Sequence, residues 1–148
     1  MDARGAAKVI IRAFNRGNKL LICGNGGSAA EAQHMAGELV GKFLHIRKAL
    51  PAIALTTDTS VITSIGNDAS FDTIFSRQVE ALGQPGDVLF CLSTSGKSSN
   101  VLLAQKVAEE TGVVVVDLDR KGDGTPNIQE NQLRAIHKIC KIVEEAFL

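Results

Sequence analysis

Four short apolar runs, KLLICG, PAIALTT, DVLFCLS and GVVVVDL, recur along this chain with stretches of helical spacing between them. That alternation is the strongest constraint on its fold. A strand buried on both faces reads as a near-continuous run of Val, Ile and Leu, whereas one open to water on one side alternates with polar residues. Runs of the first kind, separated by helices, predict a parallel sheet covered on both faces. The helical stretches lie at about Ser28 to Leu44, Phe71 to Leu82 and Ser98 to Glu110, and GQPGD at 83–87 is a turn. At the end, Ile128, Leu133, Ile136, Ile139, Ile142, Val143 and Phe147 keep the spacing of an amphipathic helix, and DRKGDGTP before it reads as a polar loop. With 148 residues, no repeat and no change of composition, one α/β domain is expected.

Composition excludes several roles. Sixteen basic and sixteen acidic residues balance to a formal charge of zero, which argues against general nucleic-acid binding. No apolar run reaches the roughly 18 residues of a membrane helix, and no signal-peptide pattern opens the chain. Cys23, Cys91 and Cys140 are odd in number and form no CxxC pair, so a reduced, cytoplasmic setting is expected. Cys23 and Cys91 fall in strands and should be buried.

The polar punctuation falls where strands end, which is where open α/β sheets collect ligands. In LSTSGKSSN, Ser93, Thr94, Ser95, Ser98 and Ser99 surround Gly96 immediately before a helix. Hydroxyls, free N–H groups and a helix N-terminus make an anion site, and phosphate is its natural guest; Lys97 could add charge. An N-cap alone would need one such hydroxyl. This is not a nucleotide P-loop, because Cys91 stands where GxxxxGK[ST] requires glycine.

The segment CGNGGSAAEAQHMAGEL, residues 23–39, satisfies GxGxxA from Gly24 to Ala29. A dinucleotide site would also want an acidic residue about 20 positions on, and Asp58 is too far. His34 and Glu38, four apart, share a helical face, as do Gln129 and His137, eight apart. Such pairs can hold a metal or a proton, or simply border a helix face.

These motifs together carry a resemblance. CGNGGSAAEAQHMAGEL, the long stretch LPAIALTTDTSVITSIGNDASFDTIFSRQVEALGQPGDVLFCLSTSGKSSNVL and IQENQLRAIH resemble the phosphoheptose isomerases of the sugar isomerase (SIS) domain superfamily. The resemblance spans most of residues 18–118 and again 126–148. It implies a flavodoxin-like three-layer α/β/α sandwich with a parallel sheet, assembled as a homotetramer with active sites between subunits. It implies isomerisation of D-sedoheptulose 7-phosphate to D-glycero-D-manno-heptose 7-phosphate through an enediol, supplying heptose for lipopolysaccharide or other surface glycans. His34, Glu38, Gln129 and His137 match zinc ligands, one ion per subunit, and Glu38 and His137 also match the acid/base pair. Asn25, Gly26, Gly27, Asn67 and Asp68 match substrate-contacting positions, and Ser28 neighbours them. Ser93, Thr94, Ser95 and Ser98 match a phosphate cradle.

Two departures accompany the match. The family carries a further helix before AAKVIIRAF. Between VVVVDL and PNIQE the resemblance implies a glycine-rich loop, a short helix and another strand, yet only DRKGDGT intervenes. Because both flanking motifs are intact, residues missing here are the expectation, and whether Gln129 and His137 reach the site is for the structure to decide. Gln132 stands where a family histidine often occurs, and His45, outside the motif helix, should be solvated. Two other readings compete: a non-catalytic relative that binds a replication initiator, and a sugar-phosphate sensor. The set His34, Glu38, Gln129 and His137 favours the enzyme, since a scaffold needs no matched metal and acid/base groups.

Overall fold

The structure, a computed structural model, describes residues 1–148. Four parallel strands, β1 (Leu20–Gly24), β2 (Ala52–Ala54), β3 (Val88–Leu92) and β4 (Val114–Asp117), form one sheet in the order β2-β1-β3-β4. The register pairs Leu20 with Ala52 on one side and with Val88 on the other. All five residues of β1 and of β3 are buried, as continuous apolar runs require.

The two-residue period of a strand divides the core into two layers. Leu20 and Ile22 of β1, with Val88, Phe90 and Leu92 of β3, face helices α1 (Ala3–Asn15), α2 (Gly27–Val40) and α6 (Gly124–Glu145). Leu21, Cys23, Leu89 and Cys91 face the other way, onto α4 (Ser76–Leu82) and α5 (Ser99–Glu110). α6 contributes Ile136, Ile139, Cys140 and Val143 to the first layer, and Phe147 meets Phe14 of α1 edge-on at 6.0 Å. The result is the expected three-layer α/β/α sandwich. Cys23, Cys91 and Cys140 are all buried and unbridged.

Local differences from the sequence expectation have physical causes. α2 stops at Val40 rather than Leu44 because Arg47 turns back and donates to the carbonyls of Glu38, Leu39 and Gly41, groups that a continuing helix would have bonded internally. The stretch 71–82 is a 3-10 turn, Phe71–Thr73, followed by α4; the break lets Ile74 and Phe75 enter the core. α3 (Thr59–Asp68) was not anticipated, although Asp58 is a ready N-cap and accepts the Val61 N–H at 3.0 Å. α6 begins at Gly124, inside the presumed loop, with Pro126 in its first turn where no N–H is needed. Residues 118–123 alone join β4 to α6, so β4 forms the edge of the sheet and Val114 is exposed there.

Candidate active site

Strand order reverses between β1 and β3, and the chain leaving each strand builds one half of the site. Beyond β1 runs Asn25-Gly26-Gly27-Ser28; beyond β3 runs Ser93-Thr94-Ser95-Gly96-Lys97-Ser98. Side-chain amides fasten the two together: Asn25 Nδ2 donates to Asn100 Oδ1 at 2.8 Å, and Asn100 Nδ2 donates to Asn25 Oδ1 at 2.9 Å. Close approach also demands glycine at 24, where a Cβ would lie 2.7 Å from the Leu92 carbonyl and 2.8 Å from the Ser28 Cβ. Ser28 is buried in that contact.

The serine loop closes on itself. Ser93 Oγ accepts the Gly96 N–H at 3.0 Å and lies 3.4 Å from Ser98 Oγ, while Ser95 Oγ accepts the Lys97 N–H at 3.0 Å. Gly96 sits at φ 67°, the left-handed region. Ser98 is the N-cap of α5 but makes no side-chain capping bond, so its hydroxyl stays available beside the positive end of the helix. Ser93 is buried, Thr94 and Ser98 half-buried and Ser95 exposed, so the hydroxyls grade from the core out to the surface.

The second cluster joins α2 and α6. His34 Nε2 lies 3.0 Å from Glu38 Oε1, and His137 Nε2 lies 3.2 Å from His34 Nε2. His137 therefore reaches the site from α6 despite the short connection that precedes that helix. The three donor atoms lie within 4.8 Å of one another. Two imidazole nitrogens and a carboxylate oxygen are a zinc-type donor set. With metal–ligand bonds of about 2.0–2.1 Å, neighbouring donors in a tetrahedral site stand about 3.3 Å apart, close to the two separations seen here. These residues fit a metal.

Phe43 stacks on His137, ring centres 5.6 Å apart and planes 26° from parallel. Its loop is fastened by a carboxylate buried in α6: Glu144 accepts the N–H groups of Phe43, Leu44 and His45 at 3.0, 2.8 and 3.1 Å, and Arg47 Nε lies 3.4 Å away. Burial would raise the Glu144 pKa, yet these backbone donors, with His45, hold it below the ordinary glutamate value. His45 is otherwise largely in solvent.

Gln129 takes a separate place. Its amide packs on Gly27, occupying the space that a Cβ there would fill, at the start of α2 and two turns before His34. Asn67 and Asp68 end α3, exposed and bonded to each other at 3.0 Å. That end of α3 precedes the turn that Asp72 ties to Ser99 at the head of α5. α2 also carries Glu31, whose Oε2 is buried without a partner; desolvation pushes its pKa up to about 7.

Sequence reading missed Phe43, Asn100, Glu144 and Arg120. Glu144 left a trace, since it interrupts the buried face of α6 between Val143 and Phe147. Gln132, given little weight, is buried with Nε2 3.5 Å from the Ser93 carbonyl. Arg120, hidden in a stretch read as polar loop, donates from Nε to that same carbonyl at 2.9 Å. Nothing in the sequence distinguishes it from its polar neighbours.

The SIS domain family model matches residues 2–118, and the chain belongs to that family. Within it, the chain groups with the phosphoheptose isomerases. It is 52% identical to the phosphoheptose isomerase of Synechocystis, over 92% of this chain and 78% of that one. It is 50% identical to that of Campylobacter concisus, over 96% and 84%. Among solved structures, the phosphoheptose isomerase GmhA from Neisseria gonorrhoeae superposes with a TM-score of 0.89 at 40% identity, covering 97% of this chain and 85% of that one. The Francisella tularensis enzyme does so with a TM-score of 0.91 at 35% identity. The two sequence matches run over 152 and 158 residues, more than the 148 of this chain, so those relatives carry residues with no counterpart here.

Proposed function

We propose that this chain is a phosphoheptose isomerase converting D-sedoheptulose 7-phosphate to D-glycero-D-manno-heptose 7-phosphate. The observation that carries the proposal is the convergence of His34, Glu38 and His137 from two helices, α2 and α6, into one metal-type donor set. The chemistry moves a proton between adjacent carbons. A base takes the proton from C1 of the ketose, the electron pair forms the C1=C2 double bond, and the carbonyl oxygen takes up the displaced charge. Protonation at C2, with the O1 proton passed to O2 as C1=O1 forms, then gives the aldose.

Glu38 carries the carbon-bound proton in this reading; only its Oε1 is engaged, by His34. His137, held flat by Phe43, serves the oxygens. His34, Glu38 and His137 would hold zinc, which would supply Lewis-acid stabilisation of the developing enediolate; Gln129, matched by resemblance to a fourth ligand, sits apart from these three against Gly27. Ser93, Thr94, Ser95 and Ser98 seat the phosphate, so the reacting carbons are placed by the far end of the sugar. Asn25, Gly26, Gly27, Asn67 and Asp68, with Ser28 beside them, contact the substrate in this reading.

A homotetramer with sites between subunits agrees with the apolar side chains left open beside the cluster: Val40, Leu44 and Ile46 are 49%, 57% and 90% exposed. No helix is long and apolar enough to cross a membrane, in keeping with a cytoplasmic enzyme of surface-glycan heptose supply. The whole of residues 1–148 forms one SIS unit in this reading, with α6 packed into the same core as α1 and α2.

The test is incubation of zinc-loaded protein with sedoheptulose 7-phosphate while aldose 7-phosphate is followed. Appearance of the aldoheptose is expected. Its absence from correctly assembled protein would favour the non-catalytic binding role.

A further inference from the structure

Arg120 lies in the short connection from β4 to α6. Its Nε donates to the Ser93 carbonyl at 2.9 Å, and its Nη2 reaches both carboxylate oxygens of Asp117 at 2.6 and 2.7 Å. The same guanidinium lies against the loop apex. A Cβ on Gly96 would stand 2.8 Å from Arg120 Nε and 2.9 Å from its Cζ. Gly96, at φ 67°, thus allows both the sharp turn and the guanidinium beneath it. Gln132, buried on α6, approaches the Ser93 carbonyl from the same side.

We propose that Arg120 is a positioning residue for phosphate recognition. It pins the Ser93 carbonyl and underlies Gly96, so the hydroxyls of Ser93, Ser95 and Ser98 are aligned before the substrate arrives. The inference rests on reading that loop as the phosphate cradle.

Two physical effects follow from the geometry. A loop held in its binding conformation spends less conformational entropy when the anion arrives, so affinity rises without new contacts. The guanidinium also places positive charge beneath the loop, and Asp117 anchors its orientation while offsetting part of that charge. Lysine cannot replace it, because one ammonium cannot reproduce the planar fork toward Ser93 and Asp117. The short connection is what makes the contact: Asp117 ends β4, and Arg120 turns back over it three residues later.

The test compares Arg120→Ala, Arg120→Lys and the cradle variant Ser95→Ala/Ser98→Ala in the zinc-loaded full chain. KM for sedoheptulose 7-phosphate, kcat and competitive inhibition by inorganic phosphate are measured. For Arg120→Ala, KM and the phosphate inhibition constant should each rise about tenfold, with a much smaller change in kcat. Arg120→Lys should recover only part of that loss. Unchanged KM and phosphate inhibition in Arg120→Ala would overturn the proposal, as would a fall in kcat alone. If the double serine variant also binds phosphate normally, the cradle reading falls; if it alone loses phosphate, only the role of Arg120 falls. Should Arg120→Ala not fold, Arg120→Lys carries the test through thermal stabilisation by inorganic phosphate. That shift should be smaller than in the parent protein, and an equal shift overturns the proposal.

Discussion

The side-chain amide of Gln129 fills the space that a Cβ on Gly27 would occupy. Glycine at 27 is thus required by a residue 102 positions later, although alanine would suit the first turn of α2 as well or better. Gly27→Ala should displace Gln129 and lower turnover by at least about tenfold, while Tm moves by only a few degrees. Activity and thermal melts on the same sample separate the two effects. Retention of full activity would show that Gln129 has no part in the reaction.

Glu38→Gln keeps the size of the side chain and removes the carboxylate proposed as the base. Turnover should fall by about 10²–10⁴-fold in folded protein. A variant that turns over normally would remove Glu38 from the proton transfer.

His34→Ala and His137→Ala each delete one nitrogen donor of the cluster. Metal analysis after zinc loading should find about one ion per chain in the parent and far less in either variant. Equal zinc contents would place the metal elsewhere.

Glu144→Ala strips the partner from buried Arg47 and leaves three backbone N–H groups without an acceptor. Loss of one member of such a buried pair costs about 3–5 kcal/mol, readable in urea unfolding. Phe43 would be released from His137 as well, so kcat should fall more than phosphate affinity. Acid acts on the same contacts. The Glu144 pKa lies below its unfolded value, so its contribution is present above the unfolded value of about 4.3 and fades as pH drops through the folded one. Asp87 behaves alike: burial would raise it, but donors from Lys19, Asn18 and Gln84 hold it down. Glu144→Gln should therefore flatten the acid limb of a stability–pH curve.

Glu31 has the opposite sign. Burial raises its pKa to about 7, so the folded state prefers the protonated acid. Any stability linked to that proton is complete below the unfolded pKa of about 4.3 and is lost as pH rises through about 7. Glu31→Gln should raise Tm by a few degrees at pH 8 and leave it nearly unchanged at pH 4. Identical gains at both pH values would mean that the carboxyl does not titrate there.

Much of this arrangement was readable in the chain itself, for reasons that differ by element. β1 and β3 announced themselves because strands covered on both faces leave no room for polar residues. The serine loop stood out because it holds more hydroxyls than a cap needs. His34 and Glu38 share one helix, so their spacing alone puts them on one face. The pairing of that helix with His137 came from resemblance, because no local rule links positions 103 residues apart. What stayed hidden depends on tertiary contact: Phe43 stacks on a ring from another helix, Asn100 meets Asn25 across the switch point, and Arg120 acts through a backbone carbonyl. α3 was missed because its β-branched TSVIT run has low helix propensity, and packing with a cap outweighed it.

The reciprocal amide pair of Asn25 and Asn100 joins the two loops, and neighbouring hydrogen-bonded strands support both. The gap between the glycine turn after β1 and the serine loop after β3 is thereby set like the jaws of a locked calliper.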